Sequence, residues 1–239
     1  MSNFKLNANY SDTYKSMTED LRIALENRVV AKSYLFTFVG LIISAIAAFI
    51  APDMMNTWLT SNSYNILILF FGEFAIVLGA SLALQSNNVV LGTILYTAYA
   101  YLTGALCGII FWTYELASVG YIFILTASIF LVTSIYGLVT KKDLDTVGHY
   151  CFMGLWGIII SSLANIFFIH SSMLDLAIAW IGVAIFIGLI AYDSQKIKDR
   201  AALVGVIGEN SIAMLGAIDL YLDFVNLFLK LLRIFGKKK

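Results

Sequence analysis

Seven apolar runs, each near the length needed to cross a bilayer, leave this chain few ways to fold. They cover roughly Tyr34–Ala51, Tyr64–Leu84, Val89–Trp112, Val119–Thr140, His149–Ile169, Leu174–Tyr192 and Ile212–Phe235. A helical residue rises about 1.5 Å, so about 20 residues match a hydrocarbon core about 30 Å thick. A helix also satisfies its backbone hydrogen bonds internally, which lipid cannot do for it. Membrane β-barrels alternate apolar and polar residues along short strands, whereas these runs are long and unbroken. Apolar residues make up 60% of the chain and charged ones only 13%, against roughly 25% charged in soluble domains. The expected fold is an all-α membrane protein, a seven-transmembrane-helix bundle.

Three parts follow from the polarity profile: a polar segment 1–33, a helical domain 34–236 and a basic tail 237–239. The connections Pro52–Ser63, Gln85–Asn88, Thr113–Ser118, Lys141–Gly148 and His170–Met173 read as turns, and only Asp193–Ser211 is long. In the polar segment, Lys15–Lys32 carries Leu21, Leu25 and Val29 at helical spacing. It reads either as an amphipathic helix on the membrane surface or as a solvated helix. The first apolar run lacks a small-residue cleavage pattern, so it is expected to stay as an uncleaved helix.

Lysine and arginine set orientation. They gather in the N-terminal segment (Lys5, Lys15, Arg22, Arg28, Lys32), the fourth connection (Lys141, Lys142) and the sixth (Lys196, Lys198, Arg200), while connections one, three and five hold none. All three basic regions fall on one side, which places the N-terminus in the cytoplasm. Lys237, Lys238 and Lys239 break the pattern. Either the last run crosses fully and leaves a basic tail outside, the favoured reading, or it dips in and returns.

A formal net charge of zero gives no basic field for nucleic acid. Cys107 and Cys151 lie in or beside apolar runs and read as small apolar fillers. No HExxH, GxSxG or P-loop pattern is present, so an enzyme is not expected. Lys230 is too near the end of its run for a retinal Schiff base, and the third run has no carboxylate counter-ion. Gly104 and Gly108 form a GxxxG pair, and Gly154 and Gly157 lie near one face. Both spacings permit close helix packing, and both also suit ordinary glycine content.

Ionisable groups at membrane depth carry the functional signal, because each costs about 2.5–3.5 kcal/mol at a helix centre. They are Glu73, Asp193, Asp219, Asp223, Lys230 and Arg233. On the last helix Asp219, Asp223, Asn226, Lys230 and Arg233 recur at spacings of four and three, within a stripe about 80° wide. That polar face points inward, although Lys230 and Arg233 also read as snorkelling to the helix end. Asp193 closes the sixth run. It reads either as an ordinary helix-end carboxylate or as a group facing the carboxylates of the seventh helix. Two carboxylates a few ångströms apart would share a proton near neutral pH, a proton-sensitive latch. Carboxylate oxygens at Asp193, Asp219 and Asp223 would equally suit transient Ca²⁺. Glu73 belongs either to the same polar interior or to a hydrogen bond with a neighbouring helix.

These residues resemble the transmembrane Bax inhibitor motif family in its bacterial inner-membrane branch. The resemblance rests on Tyr136-Gly137, Thr140-Lys141-Lys142-Asp143-Leu144, Ala191-Tyr192-Asp193-Ser194-Gln195-Lys196, Leu220-Tyr221-Leu222-Asp223-Phe224-Val225-Asn226-Leu227-Phe228 and Leu231-Leu232-Arg233-Ile234-Phe235-Gly236. It implies six helices around a central seventh, and a pH-sensitive Ca²⁺ leak latched by an aspartate pair that falls on Asp193 and Asp223. It also offers a second role, binding other membrane proteins in stress, cell-death or protease control without transport. A proton-coupled transporter is a third reading. Two departures stand out. Asp219 replaces a small hydroxyl residue, and the arginines that some relatives carry after the second helix are absent from Leu84-Gln85-Ser86-Asn87-Asn88. Lys196 or Lys198 is then the candidate basic partner of the pair.

Overall fold

The computed structural model describes residues 17–62 and 64–239. The rest of the polar segment, with Lys5 and Lys15, lies outside the described residues, as does Ser63. Eight α-helices account for most of what is described: α1 (Glu19–Ile50), α2 (Pro52–Ser61), α3 (Asn65–Gln85), α4 (Val89–Thr113), α5 (Leu116–Val139), α6 (Asp145–Ala164), α7 (Ser172–Arg200) and α8 (Glu209–Phe235). All but α2 are long and apolar enough to cross a membrane. A π-helical turn, Asn165–Ile169, extends α6, and a 3₁₀ turn, Ala201–Leu203, extends α7.

Three boundaries differ from the sequence expectation. The described part of the polar lead-in is helical: α1 begins at Glu19 and runs unbroken into the span. The reason is one buried face, Leu25, Val29, Ser33, Thr37 and Gly40, whose spacing of four and three ignores the change in polarity. The connection Pro52–Ser63 is mostly a helix. Proline's fixed φ and missing N–H suit the first helical position, and Pro52 occupies it in α2. Most of Asp193–Ser211 is helical too, because Ser194, Ile197 and Ala201 form a fully buried stripe that carries α7 past the apolar run to Arg200. Asp193 is therefore about two turns inside the helix, not at its end.

The chain divides into two compact units. The first comprises the described part of Met1–Ile110 with Lys196–Asp219. Here the Gly104–Gly108 pair is a packing face. A Cβ on either glycine would strike the backbone of Ser44 or Ala48 on α1. The Ser44 hydroxyl donates to the Ala100 carbonyl (2.8 Å) and the Tyr96 hydroxyl to the Phe36 carbonyl (3.0 Å). Contacts at 36/96, 44/100 and 48/108 advance together, so α1 and α4 run parallel. The first half of α8 packs closely in the same unit. A Cβ on Gly216 would stand 2.7 Å from Ile197 and 2.8 Å from the Ser33 hydroxyl.

The second unit comprises Phe111–Gln195 with Leu220–Lys239. Phe224 of α8 meets Phe123 and Phe130 of α5 edge to face, each at 5.4 Å between ring centroids. Gly137 of α5 lies against the backbone of Ala191 in α7, and Gly154 of α6 against Ile185. Gly157 differs from Gly154, since a Cβ there would meet open space. Cys151 fills space against Gly188, as a small apolar side chain does.

The tail is also in this unit, held to the α4–α5 turn. Glu115 N–H donates to the Lys237 carbonyl (2.9 Å) and Lys239 N–H to the Thr113 carbonyl (3.0 Å). Lys237 N–H donates to the Ser118 hydroxyl (2.9 Å), and its ammonium lies 3.0 Å from Glu115. Along the chain, that turn follows three crossings and the tail follows seven, so both fall on the same side. A returning last segment would leave the tail opposite the turn. With 27 unbroken residues, α8 is about 40 Å long and spans the core.

Candidate functional site

Helix α8 is the least lipid-like helix of the seven. In its most apolar stretch 67% of residues are buried inside the protein, against 11–33% in the other six. Most of that stretch is therefore covered by protein. Its polar stripe, however, is divided among different partners.

At the start of α8, in the first unit, three residues hold the helix end. Lys32 of α1 reaches Glu209 at 2.8 Å and the Asn210 side-chain carbonyl at 2.8 Å, and Arg28 lies 3.6 Å from Glu209. The Asn87 side-chain carbonyl accepts from Gly208 N–H (2.8 Å) and from the Ser211 hydroxyl (3.1 Å). Asn87 itself takes a left-handed backbone, φ 61°, which asparagine tolerates well. The turn that lacks arginines thus serves as an uncharged cap for α8.

Asp219 follows. Arg200, the last residue of α7, donates to its carboxylate at 2.5 Å, and both side chains are about a third exposed. Arg200 is the basic partner of Asp219. Lys196 lies 4.0 Å from Asp199 on its own helix. In the same unit the Thr103 hydroxyl of α4 donates to Glu73 of α3 at 3.3 Å, so Glu73 has an interhelical hydrogen bond.

In the second unit Asp223 is 4% exposed, the one buried acidic side chain among the described residues. Fully buried Leu220, Tyr221 and Leu227 lie around it on α8. Asp193 is half-buried in α7, next to the fully buried Ser194. Asn226 spends its amide on its own helix, donating to the Leu222 carbonyl at 2.8 Å. The stem of Lys230 covers Gly182, where a Cβ would lie 3.1 Å from its methylenes. Arg233 pairs with Asp175 at the start of α7 rather than merely snorkelling.

Arg200, Asp175 and Thr103 are the site residues that the sequence reading did not single out as partners. For Arg200 and Asp175 the missed signal is a mirrored one: along the chain α7 carries Asp175 before Arg200 and α8 carries Asp219 before Arg233, so antiparallel packing sets each acid against a base. Among the described residues no group of three or more His, Cys, Asp or Glu side chains is placed to hold a metal ion.

Residues 26–239 match the family model described as "Inhibitor of apoptosis-promoting Bax1". The chain is 37% identical over 215 residues to the inner membrane protein YbhL of Escherichia coli K12, covering 88% of this chain and 92% of that one. An uncharacterized protein of Borreliella burgdorferi is 38% identical over 225 residues, covering 92% and 97%. An uncharacterized membrane protein of Streptococcus pyogenes serotype M3 is 36% identical over 217 residues, covering 88% and 93%.

Proposed function

The chain belongs to the Bax inhibitor family of multi-pass membrane proteins, and on that premise we propose that it is a pH-sensitive Ca²⁺ leak of a bacterial inner membrane, latched by Asp193 and Asp223. The observation that carries this reading is the burial of Asp223 at 4% exposure in the most enclosed span. Removing a carboxylate from water is costly unless it is neutralised or paired, so its position suits a proton-controlled role better than a purely structural one. Asp193 supports the reading because it lies inside α7 in the same unit. Arg200 supports a modifying role for Asp219, since it compensates that carboxylate locally.

In this mechanism a shared proton holds the aspartate pair together. Changing the proton load shifts the balance between a closed and an open bundle. The ion interacts with carboxylate oxygens only transiently, as a leak requires.

The test is Ca²⁺ release from vesicles containing the purified protein, between about pH 6 and 8, where paired carboxylates titrate. The wild type should leak Ca²⁺ in a pH-dependent way, and Asp223→Asn should flatten that dependence while leaving thermal unfolding little changed. Flux indifferent to pH and to the substitution would sink the proposal. Absence of flux together with a stoichiometric membrane-protein partner would favour the scaffold role, and saturable solute uptake the transporter.

A further inference from the structure

Helix α2 sits between two spans with little slack: α1 ends at Ile50 and α2 starts at Pro52, then α2 ends at Ser61 and α3 starts at Asn65. Its ten residues are about 15 Å long, far short of a crossing. The turn into α3 is fixed by Asn65, whose amide donates to the Trp58 carbonyl (2.6 Å) and the Ser61 hydroxyl (3.1 Å).

At about 100° per residue, Met55 and Leu59 lie on one side of α2, in line with Ala51. Met54 and Trp58 adjoin them, and Asp53, Asn56, Thr57, Thr60 and Ser61 fill the remaining arc. The first side is packed by the chain: Ala51 and Met55 are buried with Ala105, and Leu59 packs against that cluster. The polar arc is outward, with Thr57 and Thr60 exposed and their hydroxyls donating to carbonyls one turn back (2.8 Å each). Met54 and Trp58 continue the apolar arc, yet they are 66% and 40% exposed.

We propose that α2 is an interfacial helix, its Met54–Trp58 edge covered by lipid at the boundary of headgroups and acyl chains. Lipid is the occupant because the edge continues the end of α1, where Phe49 and Ile50 are exposed on a membrane-spanning helix. Tyr64, also exposed, opens α3 just beyond. Tryptophan and tyrosine favour this depth because each has an apolar body and a polar tip. Neither α2 nor any residue from 33 to 140 supplies a lysine or arginine. Apolar burial therefore drives the contact, and zwitterionic lipid suffices.

The test places a nitroxide on Met54→Cys or Thr57→Cys of the full chain, with Cys107→Ser and Cys151→Ser, in phosphatidylcholine vesicles. Position 54 should collide preferentially with oxygen, and position 57 with a water-soluble nickel chelate. Adding anionic lipid should leave both unchanged. Chelate access at both positions would overturn the proposal, because the helix would stand in water. Shielding of position 54 from both reagents would also overturn it, because protein would then cover the edge. If the cysteine-free chain does not fold, Trp58 serves as sole tryptophan after Trp112→Phe, Trp156→Phe and Trp180→Phe. Its emission should be blue-shifted and quenched by lipid brominated near the headgroup. Quenching by aqueous iodide but not by that lipid would refute the assignment.

Discussion

Arg200 and Asp219 lie between the two limits of ion-pair energetics. Fully exposed pairs contribute about 0–1 kcal/mol, and stripping one partner from a buried pair costs about 3–5 kcal/mol. With each side chain about a third exposed, Arg200→Gln should cost about 1–3 kcal/mol of stability. Most of that loss would come from leaving Asp219 without its donor, so Arg200→Gln combined with Asp219→Asn should recover part of it. Arg200→Lys should be intermediate, since an ammonium cannot reproduce the guanidinium fork. Unfolding in detergent, followed by circular dichroism, checks all three. If the double variant were no more stable than the single, the pair would not be the source of the effect. The sequence makes Asp219 visible because a carboxylate at membrane depth is costly. Its base is hidden, because Arg200 looks like part of a polar loop. The stripe that makes that stretch helical, Ser194, Ile197 and Ala201, is short and interrupted by Lys196, Lys198 and Asp199.

At the scale of elements, α1 and α4 approach to backbone contact where the two glycines of α4 sit. Gly104 and Gly108 leave no room for a Cβ beside Ser44 and Ala48. Gly104→Ala should therefore cost about 1–3 kcal/mol by overpacking, although alanine is the better helix former. Gly157→Ala adds its methyl to open space and should be neutral or stabilise by up to about 1 kcal/mol. Melting temperatures of the two variants in one detergent decide the matter, and equal losses at both positions would remove the packing argument. Both glycine pairs look alike in the sequence, because spacing alone does not say which face has a neighbour. Spans are legible for the opposite reason: hydropathy over about 20 residues is a strong signal that no neighbour has to supply. The short α2 is concealed by its mixed composition, and its helicity depends on Pro52 at its first position and on Met55 packing against Ala105.

For the whole molecule, the side reached by the tail tests the crossing number. Counting lysine and arginine alone leaves the last segment ambiguous, since Lys237–Lys239 fall where basic residues are disfavoured. The structure relieves that conflict locally: Lys237 faces Glu115 at 3.0 Å, and the Lys239 ammonium donates to the Phe111 carbonyl at 2.6 Å. Two of the three tail charges are thus engaged by the α4–α5 turn, a distant contact that the sequence alone does not reveal. Seven crossings then require the tail and the Lys141–Lys142 connection, which follows the fourth span, to face opposite sides. In a chain carrying Cys107→Ser and Cys151→Ser, a membrane-impermeant maleimide should reach Lys238→Cys from one face of sealed vesicles and Lys142→Cys only from the other. Labelling of both from the same face would reduce the crossings to an even number. It would also break the pairing of the tail with Thr113 and Glu115, because that turn follows the third span.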